Sequence, residues 1–173
     1  MNRGIVGAFA LWVCVGGGIS MADSGAIARI GASGEFLELT HQADGRTVVS
    51  TVPLHHEGDI RYFSAGVGLE ERLAEYPPFS LKMVFTVGGK AYLSGVSVTI
   101  KPAKGGTVLT IPNDQVEGPW LFVDLPAGVY DVTATHHDSR QVRKGVKVEA
   151  EKQRVIYLSW AEDRGLVGNL PDE

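Results

Sequence analysis

Leu125-Pro126-Ala127-Gly128-Val129-Tyr130-Asp131-Val132-Thr133-Ala134 is the stretch on which the reading of the fold turns. Pro126 fixes its own φ and lacks an N–H, which suits the start of a turn. Gly128 accepts a positive φ without clash. Beyond it the side chains alternate. Tyr130, Val132 and Ala134 share one side of an extended chain, and Val129, Asp131, Thr133 and Thr135 share the other. The first set is the expected core face of a strand, and the segments on either side can be paired around it.

Toward the C-terminus, His136-His137-Asp138-Ser139 closes a hairpin into Arg140–Glu149, whose apolar positions are Val142, Val146 and Val148. Gln153–Trp160 is the last strand. It is apolar on both faces, with Val155 and Tyr157 on one and Ile156 and Leu158 on the other, which predicts a buried place in its sheet. Toward the N-terminus, Trp120-Leu121-Phe122-Val123 leads into the turn after a polar loop over 111–119. Further strands are predicted at Thr107–Thr110, at Val96, Val98 and Ile100, at Tyr92-Leu93, and at Leu81, Met83 and Phe85, with Gly88-Gly89 and Lys104-Gly105-Gly106 as turns. Some seven short strands over 79–160 predict an all-β antiparallel sandwich.

Residues 23–78 read as an N-terminal extension. Residues 23–34 form a small-residue lead. Two β-prone runs within 36–52 flank Asp44-Gly45, a good hairpin turn. Residues 53–66 read as irregular, punctuated by Pro53, Gly58 and Gly66. Leu69, Leu73 and Tyr76 lie at i, i+4 and i+7, which predicts a short helix over 69–76 held by packing and ended by Pro77-Pro78. Residues 161–173 read as a flexible tail.

Residues 1–22 read as a secretory signal peptide: Arg3 in the n-region, an apolar run from Ile5 to Val15, and Ser20-Met21-Ala22 before the cut. The run is too short and Gly-rich for a membrane span, so none is expected after cleavage. Cys14 is the single cysteine, and cleavage removes it. An exported chain without thiols fits a bacterial periplasm better than a disulfide-rich extracellular setting. The net charge of −4 argues against a nucleic-acid partner. At 173 residues the chain can bury roughly two thirds of its unfolded surface without a metal or a disulfide.

Residues 79–160 resemble the carboxypeptidase regulatory-like domains, which are prealbumin-like (transthyretin-like, Ig-like) seven-stranded sandwiches. The likeness is carried by Gly95-Val96-Ser97-Val98-Thr99-Ile100, Gly118-Pro119-Trp120, the stretch Leu125–Ala134 and the closing strand to Trp160, with Ser64–Arg72 as a lead-in. It implies a fold and an exported location and is nearly silent on function, because such a sandwich hosts many roles.

Three chemistries stand out as candidates. The pairs His55-His56 and His136-His137 invite copper or zinc, since neutral imidazole is a ligand for both. Neighbours on an extended chain point apart, so a site needs one member of each pair brought together, with Asp59 or Asp138 assisting. The plain alternative is two pairs in solvated loops. Nucleophilic catalysis lacks a Gly-x-Ser-x-Gly elbow, and the C-terminal signature of the transthyretin-like hydroxyisourate hydrolases is missing, since this chain ends Leu170-Pro171-Asp172-Glu173. No His-x-x-Glu zinc motif is present, and Gly66-Val67-Gly68 falls short of a phosphate loop. Trp120, Tyr92, Tyr130, Tyr157 and Trp160 would stack on sugars if one face exposed them, although most lie at core-pattern positions. The expectation is therefore a non-enzymatic, periplasmic binding or accessory module with an envelope protein as partner and no cofactor. Metal binding through the His pairs and a small transthyretin-like hydrolase are the alternatives.

Overall fold

The computed structural model describes residues 25–161. The signal-peptide reading of 1–22 and all but the first residue of the tail lie outside them. The described chain is all-β, with thirteen strands, one short helix and one 3₁₀ turn. Three sheets stack in layers.

The N-terminal layer holds β1 (Ile27–Ile30), β2 (Phe36–Ala43) and β3 (Arg46–Pro53), in that order. β2 and β3 pair from Phe36↔Pro53 to Ala43↔Arg46 around Asp44-Gly45. Both turn residues have positive φ, 51° and 72°, as the two-residue turn that matches strand twist requires.

The central sheet runs β13-β6-β10-β5-β4, with β7 on the far end of β6. Its members are β4 (His55–Glu57), β5 (Ile60–Ala65), β6 (Leu81–Val87), β7 (Ala91–Tyr92), β10 (Trp120–Asp124) and β13 (Arg154–Trp160). The third sheet runs β12-β11-β8-β9: β8 (Ser97–Pro102), β9 (Leu109–Ile111), β11 (Gly128–His136) and β12 (Ser139–Val148).

The alternation over Leu125–Ala134 governs the inner layer. Tyr130, Val132 and Ala134 are buried against Leu81, Met83, Leu121 and Leu158 of the central sheet. Gly128 keeps a negative φ, against expectation. Its missing Cβ makes room instead for the Tyr130 ring, which would lie 3.2 Å from it, and the Tyr130 hydroxyl donates to Pro126 O at 2.8 Å.

The opposite face of the central sheet carries a second apolar cluster. Phe63 and Phe122 stack at 4.5 Å, Phe79 meets Phe63 edge-on at 4.9 Å, and Leu37, Leu39, Val52 and Leu54 of the N-terminal segment pack with them. These strands are thus one wall of a core. Residues 53–66, expected to be irregular, form β4 and β5. β5 pairs with β10 from Trp120↔Ala65 to Asp124↔Arg61, in the middle of the sheet.

Two further expectations change. The helix α1 spans Leu69–Leu73 only, and Leu69 and Leu73 face solvent. Glu75 is captured by β1, its N–H bonding to Ala26 O and its carbonyl to the N–H of Ala28, and this extended pairing ends the helix before the prolines. β13 is not an interior strand. It lies at an edge, parallel to β6, so the sheet is mixed. Leu93, expected in a strand with Tyr92, follows β7 rather than joining it.

Candidate functional site

The structure does not bring the histidine pairs together. His55 is on β4 at one edge of the central sheet, its ring stacked on Tyr62 at 5.2 Å, and His56 Nε2 lies 2.9 Å from Gly34 O. His136 ends β11 and His137 sits in the following turn with φ 48°. Their rings touch at 4.2 Å, and His136 packs on Trp160 of β13, the opposite edge. His55 is level with Tyr62, then across the ladder with Val123, Leu81 and Arg154, the first residue of β13, whereas Trp160 is its last. Crossing the sheet takes about 19 Å and running the length of β13 about 20 Å, which together put the pairs on the order of 25 Å or more apart. Among the described residues no three His, Cys, Asp or Glu side chains converge as a metal site would need.

A recess of about 80 Å³ beside His55 is lined by Pro53, Ser64, Asp114, Gln115 and Glu117. Ser64 looks outward into a His- and Asp-bearing hollow, but its hydroxyl accepts the Gly118 N–H at 2.8 Å and donates back to the Gly118 carbonyl at 3.2 Å. No hydrogen bond links it to His55, so the nucleophile–base pair that acyl transfer needs is not assembled. The Gly66–Gly68 loop does offer backbone N–H groups to an anion, and the chain itself supplies one. Glu71 Oε2 accepts from Gly66 N at 2.6 Å and from Val67 N at 3.0 Å.

What the fold does assemble is an aromatic and cationic surface on the outer face of the central sheet, bordering the second core through Trp120 and Phe122 and running out to β13. Register builds it. Tyr157 of β13 lies opposite Val84 of β6, and Val84 opposite Trp120 of β10. In the next row Ser159 is opposite Thr86, and Thr86 opposite Tyr92. In the row on the other side Val155 adjoins Lys82, and Lys82 adjoins Phe122. Tyr157 is 64% exposed and Tyr92 49%.

Two cations sit on the rings. Lys82 Nζ is 3.5 Å from the Trp120 centroid and 5.0 Å from that of Phe122, and burial lowers its pKa by penalising the charged form. The Arg72 guanidinium lies 5.1 Å above Tyr92 and is held by the carbonyls of Gly66 and Val67. Gly66 has φ 97°, and a Cβ there would come within 3.0 Å of the Trp120 ring, so glycine is needed for both backbone and indole. Of the five aromatics singled out from sequence, Tyr92, Trp120 and Tyr157 share this face. Tyr130 and Trp160 belong to the inner core, where the Trp160 indole N–H bonds Ser139 O.

Sequence reasoning passed over Lys82 and Arg72. Lys82 alternates with Leu81 and Met83 as any surface lysine would, and only the cross-strand neighbours reveal what it covers. Comparison with protein-family models finds no match, and comparisons with curated proteins and with solved structures find none either.

Proposed function

We propose that this chain is a non-enzymatic binding or accessory module of the bacterial envelope, exported to the periplasm, that engages a protein partner by adding that partner's strand to its own sheet. One observation carries the reading. β3 is an eight-residue edge strand, and between Arg46 and Pro53 it has no charged residue. Thr47-Val48-Val49-Ser50-Thr51 is β-branched at four of five positions, and Val49 is 58% exposed. Soluble proteins blunt long edges with lysines, prolines or bulges, because an unpaired ladder recruits other chains. An edge left open in this way suits strand addition. The other edge of the same sheet, β1, is already bridged by Glu75.

The prealbumin-like resemblance bears on the fold and the exported location of this reading. Within 79–160, the strands of three or more residues are β6, β8, β9, β10, β11, β12 and β13, split between two facing sheets. That count is compatible with such a sandwich, although β13 lies parallel to β6 and the N-terminal layer and β4–β5 are added to it. Among the described residues no helix is long and apolar enough to cross a membrane.

The test is cross-linked affinity capture from envelope extract with the wild type and with Val49→Lys, a charge placed on the open edge. Wild type is expected to retain a partner that V49K loses while keeping its melting temperature, and the β3 amides are expected to slow in hydrogen exchange when the partner is bound. Equal capture by both proteins, with β3 exchange unchanged, removes the proposal.

A further inference from the structure

The outer face around Trp120 lies on a different sheet from the β3 edge, and its properties do not depend on that edge. From its chemistry we infer that it is a binding platform for an acidic saccharide chain, sugar rings lying on the tyrosines and a sugar carboxylate reaching Lys82.

The apolar part comes first. Tyr157 and Trp120 flank Val84 from either side, two strand spacings or about 10 Å apart. Lys82 and Gly66 cover the Trp120 ring, so the rings open to a sugar are Tyr157 and, one row on, Tyr92, on the order of 12 Å apart and within the span of a short oligosaccharide. Tyr92 meets Trp120 edge-on at 6.4 Å and widens the aromatic strip. Two half-exposed tyrosines beside a half-buried tryptophan form an amphipathic surface of the kind that marks ligand contact. Hydroxyls stand in the same plane, since Ser159 and Thr86 are paired in the row that holds Tyr92.

The charge comes next. The chain as a whole is acidic, at −4, yet the cations on this face lack acidic partners. Among the described residues the Lys82 side chain makes neither a hydrogen bond nor an ion pair; its ammonium rests on the Trp120 and Phe122 rings. Arg72 is satisfied only by carbonyls. Arg143 reaches the Tyr157 carbonyl from the neighbouring sheet, at 3.3 Å, and the Val142 carbonyl. The ion pairs of the described chain lie elsewhere, at Arg61–Asp124 and around Glu149. A half-buried ammonium with three donors and no acceptor costs free energy, and a ligand oxygen in front of it would offset that cost.

The shape narrows the class. The face is open, not a cleft that would enclose most of a small molecule, so it suits an extended polymer gripped along one side. Two cations on the face, with Arg143 at its β13 edge, are few for a polyphosphate backbone, which demands a basic track. A sugar polymer with one carboxylate per residue or per repeat matches rings and cations together.

The test uses the full chain, titrated with a uronic-acid oligosaccharide, with a neutral oligosaccharide of equal length and with a single-stranded oligonucleotide, followed by calorimetry and tryptophan emission. The uronate is expected to bind and the neutral oligomer to bind at least about tenfold more weakly, the worth of one charge-assisted hydrogen bond. Lys82→Met is expected to erase that difference, leaving neutral binding as it was. Tyr157→Ala, a surface change that leaves both cores intact, is expected to weaken both oligomers. No binding of the uronate up to about 10 mM, the lower edge of measurable affinity, overturns the inference. So does equal binding of acidic and neutral oligomers by wild type, or tighter binding of the oligonucleotide than of the uronate.

Discussion

Leu37 and Phe36 are neighbours on β2, and truncating each to alanine separates two views of the N-terminal layer. Leu37 points into the second core and is 0% exposed; Phe36 points out and is 42% exposed. If the layer is a wall of the core, Leu37→Ala removes a fully buried side chain from among Leu39, Val52, Leu54 and the phenylalanine cluster. Such a truncation costs about 2–5 kcal/mol, because the transfer term is joined by a cavity that the stacked rings cannot collapse into. Phe36→Ala removes more atoms, yet those atoms are largely in water already, so its cost should stay near or below about 1 kcal/mol. Against a total stability of about 5–15 kcal/mol, the first change is a large share and the second a small one. For a chain of this size it lowers the melting temperature by roughly 10 °C.

Urea denaturation followed by both circular dichroism and tryptophan emission reads the difference. The described tryptophans report both cores, since Trp160 lies in the inner core on the far side of the central sheet from Leu37 and Trp120 packs against the second core. If the layers fold as one unit, Leu37→Ala moves the midpoint by both probes together. Equal small costs for Leu37→Ala and Phe36→Ala, each under about 0.5 kcal/mol, would mean that β1–β3 hang free of the central sheet, and the reasoning would fail.

Two other outcomes follow from single contacts. A Cβ on Gly118 would lie 2.2 Å from the carbonyl oxygen of Ala65, which is backbone inside the sheet and cannot yield, so Gly118→Ala should cost about 3 kcal/mol or more in chemical denaturation. Gly34→Ala, where φ is 74° but nothing lies within 4 Å, should cost only the left-handed strain of about 1–2 kcal/mol, and equal costs would refute the steric reading. Burial first, then the nearby Glu71 and Glu70 carboxylates, pushes the Tyr76 phenol well above its ordinary value of 10.0. The fold therefore favours the protonated phenol: that stability is complete below pH 10 and drains as pH rises past it, by on the order of 1 kcal/mol per pH unit. Tyr76→Phe should lose its hydrogen bond to Glu71 O at every pH but show a shallower fall in melting temperature between pH 10 and 11; identical slopes would refute it.

How much of this was legible depends on what covers each strand. The alternation Tyr130, Val132, Ala134 was plain because β11 has core on one side and water on the other, which writes a period of two into the sequence. The pairing of β2 with β3 was legible for a different reason, two β-prone runs on either side of the turn dipeptide Asp44-Gly45. β5 was missed because Tyr62 and Phe63 are both buried, one in each core, so the strand has no polar face to reveal its period. Gly58, with φ 59°, and Asp59 beside it looked like the middle of a loop and are in fact the turn between β4 and β5. The helix misled in the opposite sense. Leu69, Leu73 and Tyr76 have helical spacing, but the chain leaves the helix after Leu73, and only Tyr76 reaches the second core.

β5 and β13 make the most informative comparison. Both carry apolar or aromatic side chains on both faces, yet the sequence reads the first as irregular and the second as an interior strand. The N-terminal layer covers the outer face of β5, where Phe63 is fully buried, and stops short of β13, where Val155 is 38% and Tyr157 64% exposed. A chain that spends a whole extra layer on one half of a sheet and leaves valine, tyrosine and an unpaired lysine on the other half has not run out of material. Leu69 and Leu73 of α1 are likewise left 67% and 58% exposed. The sequence encodes apolar faces, and it does not encode whether its own chain or another molecule covers them. That difference appears only in the register, and it is where Tyr157, Trp120 and Lys82 stand.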